Sequence, residues 1–298
     1  MKAGWRTRAI GRHLVDLQGD ARTIESYRFN KVPIELLPAI RTGQHFNDLV
    51  ARREQELRAM RKKSGGSLFI ERVTHANGSV TLVSWLDLGV EYYHFDSYIR
   101  AGSRALQYSG DVSPSRKISA LSACDELARE WREVAPGEMP TGLGYVADDT
   151  ILMDRDMNRE SWEMVIQLAG KPDVSFKISA YAQYQVEPGL RQRAGGILAG
   201  LLGAVAGVSQ LRNRERPVGP IQGDEILVAG TQDGKRTYGF KWEAPGKANS
   251  LAEPNLNASL QVGESAYLTN KESFASDDEA LELWDAVVGS LRLRPGAV

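Results

Sequence analysis

Two dipeptides limit what this chain can fold into more than any other feature. Asn77-Gly78 lies between SLFIERV and SVTLVSWLDL, and Asp233-Gly234 lies between apolar-rich runs near 224–230 and 236–243. Asn, Asp and Gly tolerate positive φ, so such pairs match the twist of two antiparallel strands and close a hairpin. YYHFDSYIRA and ALQYS follow the first hairpin. The pattern is an antiparallel meander.

Four helices are expected to interrupt the strands. Residues 44–63 place Phe46, Leu49, Val50, Leu57 and Met60 on one side, with Glu54 and Arg58 at i,i+4 on the other. Ser64-Gly65-Gly66 stops that helix. Residues 116–135 carry Ile118, Leu121, Cys124, Ala128 and Trp131 on one face and end at Pro136-Gly137. A third helix is expected over 188–210. The fourth, in SDDEALELWDAVVGSLRLRP, is the clearest. Ser276 and Glu279 have capping-box spacing, and Asp277 and Asp278 complement the helix dipole. Ala280, Trp284, Val287 and Leu291 line one face, and Pro295 forbids continuation.

The order of elements repeats. Strands are expected over 8–17 and 26–37, with a turn at Gln18–Ala21 and Pro33 marking an edge or an interruption in the second. After the Pro- and Gly-rich residues 136–144, strands near 145–153, 161–168 and 173–184 precede a helix, and strands near 224–230, 236–243 and 255–262 precede the last one. Asp-Glu-x4-Trp recurs at Asp125…Trp131 and Asp278…Trp284. The expected fold is α+β with two similar domains, 1–140 and 141–298, each an antiparallel sheet with two packed helices. A chain of 298 residues exceeds the usual size of one core, which agrees with two.

Charge and cysteine content exclude several functions. Lys+Arg 37 against Asp+Glu 38 gives a net charge of −1, whereas a dedicated nucleic-acid binder is markedly basic. With Cys124 as its one cysteine, the chain forms no intramolecular disulfide, and Cys124 reads as a small buried apolar residue. MKAGWRTRAIGRHLV contains no apolar signal core, so the chain as written carries no export signal.

Few motifs carry chemistry. Gly195–Val208 is apolar and glycine-rich, but at ~1.5 Å per residue it spans roughly 22 Å of a ~30 Å hydrocarbon core. It reads as a helix buried against a sheet, as a segment for an apolar partner groove, or as an envelope anchor. Asp154, Asp156, Asn158 and Glu160 imitate half a calcium loop, but Arg159 and Val165 stand where Gly and Glu are needed. A charged turn of Asp154, Arg155, Asp156 and Arg159 suits the rim of a protein interface. Gly142–Ala147 imitates a dinucleotide turn without a helix to open, and GTQDGK at 230–235 is a hairpin tip. His94 and Asp96 share a strand face, yet no Gly-x-Ser-x-Gly elbow supplies a nucleophile. The histidines have no metal-ligand spacing. No metal, cofactor or catalytic set is expected. Arg52, Arg53, Arg58, Arg61, Lys62 and Lys63 interleave with Glu54 and Glu56 as a solvated helix face.

GRHLVDL at Gly11–Leu17, REQELRA at Arg53–Ala59, KWEAPG at Lys241–Gly246 and EALELWDAVVGSLRLRP at the end resemble, in order, the type VI secretion lipase-immunity family of Tle cognate immunity protein 4 type. The resemblance implies a non-enzymatic antitoxin that grips a secreted phospholipase in a clamp-like cleft between two domains. It implies a monomer when free, without nucleic acid or an integral membrane segment. Tyr92, Tyr93, Asp154, Arg155, Asp156 and Arg159 are the candidate contacts, and Tyr98 and Tyr181 are further aromatics of interest. The expected location is the periplasm, or the cytoplasm if the chain starts natively where written. If both domains grip, severing the chain near Gly142 is expected to weaken binding sharply.

Overall fold

The computed structural model describes residues 2–37, 40, 42–87, 91–135, 137–193, 206–264 and 269–298. In chain order its elements are β1 (Trp5–Ile10), β2 (His13–Gln18), β3 (Arg22–Phe29), β4 (Val32–Leu36), α1 (Gly43–Ala59), β5 (Phe69–Thr74), β6 (Val80–Asp87), β7 (Glu91–Ala101), β8 (Arg104–Val112), α2 (Lys117–Glu130) and β9 (Trp131–Glu133). Then come β10 (Tyr145–Ala147), β11 (Thr150–Leu152), β12 (Ser161–Gln167), β13 (Val174–Tyr181), β14 (Ala206–Glu215), β15 (Asp224–Gln232), β16 (Lys235–Ala244), β17 (Asn255–Val262), α3 (Asp277–Val288) and β18 (Arg292–Leu293). The fold is α+β, mostly antiparallel sheet with few helices among the described residues.

The chain divides into two compact units, residues 27–155 and residues 1–26 with 156–298. These differ from the expected domains 1–140 and 141–298, because residues 1–26 group with the second half and 141–155 with the first. In the unit of residues 27–155 the strands lie in the order β3-β4-β8-β7-β6-β5. In the other the order is β12-β13-β17-β16-β15-β14.

Strand alternation builds each core. In the unit of residues 27–155, Val80, Leu82 and Tyr98 face Phe46, Val50 and Leu57 of α1. Val83 and Phe95, on the opposite sheet face, meet Cys124 of α2. In the other unit Phe176, Leu260, Phe240 and Leu227 stand in register across four strands. Trp284 of α3 covers them, stacked on Phe176 at 5.6 Å and edge-on to Phe240 at 5.7 Å. Ser276 caps α3 by accepting the Glu279 N–H at 3.2 Å, while the Glu279 carboxylate reaches back to the N–H of Ala275. The Glu54–Arg58 pair forms at 2.7 Å.

Several local expectations change. The strand expected over 8–17 is a hairpin turning at Gly11 (φ +55), and that over 26–37 turns at Asn30-Lys31, both with positive φ. That over 145–153 turns at Asp148. The Asn77-Gly78 hairpin has a five-residue loop, residues 75–79, because Asn77 Oδ1 accepts the Ser79 N–H at 2.9 Å and widens the turn. The helix expected over 116–135 stops at Glu130, where Trp131 pairs with Leu152 in β9. Ile118 is left 85% exposed and Met60, beyond the end of α1, 48%. Of the helix expected over 188–210, residues 194–205 lie outside the described residues, as does most of Gly195–Val208. Residues 206–210 belong to β14, held by hydrogen bonding to β15.

The shared Asp-Glu-x4-Trp pattern does not mark equivalent places. Trp131 opens a strand, whereas Trp284 lies inside α3. Trp284 sits over the sheet pair Leu227–Phe240, and its counterpart over Val83–Phe95 is Cys124.

Candidate partner-binding surface

The expected contact residues belong to both units. Tyr92 and Tyr93 are neighbours on β7 and point to opposite faces. Tyr92 is 41% exposed. Tyr93 is half-buried, its ring 5.1 Å from that of Trp85 and 5.3 Å from Lys117 Nζ. Tyr98 is buried in the core under α1 and cannot meet a partner.

Asp154, Arg155, Asp156 and Arg159 lie in the irregular segment between β11 and β12. Arg155 and Asp156 are exposed. Arg159 holds a left-handed φ of 45° and lays its guanidinium 4.0 Å from the ring centroid of Tyr184. Beside it, Ser161 pairs with Tyr181 across β12 and β13, and the Ala182 N–H donates to the Glu160 carbonyl at 2.9 Å. Half-buried Arg159 and the exposed Tyr181, Tyr184 and Val186 therefore share one region of this unit. An arginine stacked on an exposed tyrosine is the side-chain chemistry enriched at interface anchors. Tyr184 was not anticipated from the sequence. The signal that could have found it is the β13 alternation, which turns Tyr181 outward and is followed by an aromatic just past the strand end.

Glu160 takes no part in this surface. Its side chain turns inward to Arg12, with contacts of 2.8 and 2.9 Å. The half calcium loop is thus split between the interior and the surface. Among the described residues, no three His, Cys, Asp or Glu side chains are grouped to hold a metal ion. Gly142 and Gly144 lead into β10 rather than a helix, and Asp233-Gly234 closes β15 on β16 with both φ positive. On α1, Arg53 pairs with Asp96 and Arg58 with Glu54, while Arg58 and, past the helix end, Lys62 lie over the rings of Phe69 and Trp85. No described helix is long and apolar enough to cross a membrane.

His94 and Asp96 do come together, but as an ion-pair network. His94 Nε2 lies 3.3 Å from Asp96 and Nδ1 lies 2.7 Å from Asp111. Asp96 also accepts from Arg53 at 2.9 Å and from Ser109 Oγ at 3.1 Å. Both imidazole nitrogens face carboxylates, so neither is placed to take a proton from a hydroxyl nucleophile. The Asp96 hydrogen bond raises the His94 pKa against the opposing effect of burial, with Asp111 adding to the rise. Burial works against ionising Asp96, yet hydrogen bonds from His94 and Arg53 hold its pKa at about 2.

The sign of the resulting pH dependence follows. A raised folded-state pKa makes the His94 contribution fully present below the ordinary histidine value and lost as pH rises through the raised one. His13 acts oppositely. Burial first, and then the Arg12 charge, lower its pKa to about 4, so protonation between the ordinary value and 4 opposes folding. Comparing wild type with His94→Asn isolates the first group. Denaturant titrations across neutral and mildly alkaline pH are expected to show the wild type gaining stability over the variant as pH falls toward the ordinary histidine value. A constant difference across that range would mean that His94 does not titrate with folding.

Residues 138–296 match the Tle cognate immunity protein 4 C-terminal domain. Over its whole length the chain is similar to three solved structures. The apo immunity protein TplEi of the type VI secretion system from Pseudomonas aeruginosa is 35% identical, with 99% of each chain covered and a TM-score of 0.91. A crystal structure of a Tle4–Tli4 complex shows 34% identity, full coverage of both chains and a TM-score of 0.91. TplEi from Pseudomonas aeruginosa complexed with an "L" peptide is 33% identical, with 99% and 100% covered and a TM-score of 0.85. No curated protein matches.

Proposed function

Because the chain belongs to the Tle cognate immunity protein 4 family, we propose that it is an immunity protein that binds a type VI secreted lipase effector and inhibits it by covering it. The observation that carries this reading is the similarity across both full chains, at a TM-score of 0.91, to the Tle4–Tli4 complex structure. Inhibition is steric and the protein catalyses nothing. The network that occupies both nitrogens of His94 supports that reading. The two domains act as the two arms of a clamp that closes off substrate entry. The free protein is a monomer without a nucleic-acid partner, and it meets the lipase in the periplasm.

Arg159, Tyr181 and Tyr184 supply one anchor of the interface, with Asp154, Arg155 and Asp156 at its rim. Tyr92, exposed on β7, supplies a second. A stable complex of this kind buries on the order of 1,600 Å².

The test is to mix the purified protein with a Tle4-type lipase and follow hydrolysis and co-elution. Inhibition at one to one is expected, with a Kd of about 1 nM or tighter. The double variant Arg159→Ala/Tyr184→Ala is expected to raise Kd at least about tenfold, as loss of an anchor does. Full lipase activity in excess protein, without co-elution, would defeat the reading. Unchanged affinity in the double variant would remove these residues from the interface and leave the inhibition standing.

A further inference from the structure

The two units share more than a strand order. Each has a two-strand hairpin (β3–β4 or β12–β13) and a meander whose last strand, β8 or β17, pairs with the hairpin's second strand. Each then has a helix and a short closing strand, β9 or β18. The closing strand always completes a three-stranded sheet with one more hairpin, in the orders β10-β11-β9 and β1-β2-β18. Those two extra hairpins are also alike. Each turns through a left-handed first residue, Gly11 (φ +55) or Asp148 (φ +52), between the pairs Ile10–His13 and Ala147–Thr150.

Along the chain, β1–β2 stands before β3 as β10–β11 stands before β12. The chain is therefore one pattern written twice, from β1 to β9 and from β10 to β18. Yet β1–β2 packs in the unit of residues 156–298, and β10–β11 packs in the unit of residues 27–155. We propose that the two copies have exchanged their leading hairpins, so that the closing strand and adjoining surface of each copy form a docking site for the hairpin of the other.

Both docking sites are built with specific contacts. On β1–β2, buried Arg12 makes a two-pronged pair with Glu160 and donates to the Ala297 carbonyl at 2.6 Å. A Cβ on Gly11 would stand 2.2 Å from the Trp162 indole, so only glycine lets the hairpin approach this closely. The Asp16 N–H donates to Ser290 Oγ at 2.8 Å. On β10–β11, fully buried Tyr145 packs edge-on to Tyr27 and against Phe29, and the Asp148 N–H donates to the Tyr27 hydroxyl at 3.0 Å. Neither hairpin can leave without exposing an apolar surface and unpairing a closing strand, which is how exchanged elements hold subunits together.

A cut near Gly142 then does not free the halves, and the loss of toxin binding that a simple two-domain chain would show is not expected. The experiment uses the full chain with a protease site inserted at one of two exposed places, between Glu138 and Met139 or between Arg155 and Asp156. The first cut leaves two hairpins crossing between fragments and the second leaves one, β1–β2. After cleavage, size exclusion with mass detection is expected to show both cut forms eluting at the mass of the intact chain. In a urea series the second form is expected to lose co-elution at a lower concentration than the first. Fragments of the first form that separate without denaturant would overturn the proposal. So would separation of both forms at one urea concentration, since adhesion unrelated to the hairpins would then be holding them.

Discussion

Replacing Trp284 with alanine is expected to destabilise the protein by about 3–5 kcal/mol, the range for deleting a large buried aromatic side chain. Trp284 is fully buried. Its loss would leave a cavity between Phe176 and Phe240, whose rings it contacts at 5.6 and 5.7 Å. It also donates from Nε1 to Glu225 at 3.2 Å. Glu225 keeps the guanidinium groups of Arg214 and Arg216, at 2.8 and 2.6 Å, so its charge stays compensated in the variant. The cost is therefore mainly packing. Trp284→Phe, which retains most of the apolar contact, is expected to recover more than half of it. Urea unfolding of both variants checks this. A loss below about 1 kcal/mol for alanine would show that α3 does not dock on the sheet through this residue.

Arg12→Ala is expected to cost a similar amount, about 3–5 kcal/mol, for a different reason. The Arg12 side chain is 0% exposed and that of Glu160 9%. Truncating the arginine takes two hydrogen bonds and an opposite charge from a buried carboxylate. Arg294, also buried, stands near enough for the Arg12 charge to reinforce the lowering of its pKa that burial mainly causes. Removing Arg12 relieves that repulsion, and it also relieves His13, whose pKa should rise from about 4. The double replacement Arg12→Met/Glu160→Leu removes both charges together and is expected to recover most of the loss. A double-mutant cycle by urea unfolding reads the coupling. If the double variant is no better than Arg12→Ala, the pair is not what fixes this hairpin.

Where elements form was largely legible in the sequence, because local chemistry decides it. The Ser276 cap, the acidic first turn and the apolar stripe of α3 each act within a few residues, and all three appear in the structure. Strand alternation likewise placed β12, β13 and β15 to β17 close to where they are found. Errors arose at turns without a Gly pair. Asn30, Lys31 and Asp148 adopt positive φ in part through hairpin pairing, not through composition alone, so local composition does not mark those turns. Trp131 reads as helical by its spacing from Cys124 and Ala128, but β11 offers its backbone a partner and ends the helix.

The sequence by itself determined an antiparallel α+β chain with a repeated order of elements and, through four ordered fragments, its family. Only the tertiary structure decided how those elements are shared out. Which body a hairpin docks on depends on contacts such as Arg12 with Glu160, 148 positions apart, and Arg12 with Ala297, 285 apart. No periodicity or spacing encodes such pairs, because each residue alone reads as an ordinary charge or chain end. The same holds for Arg159 and Tyr184, which become one surface only because β12 and β13 pair. Long-range burial turns a charged residue from a solvated side chain into a structural anchor, and that burial exists only in the folded chain.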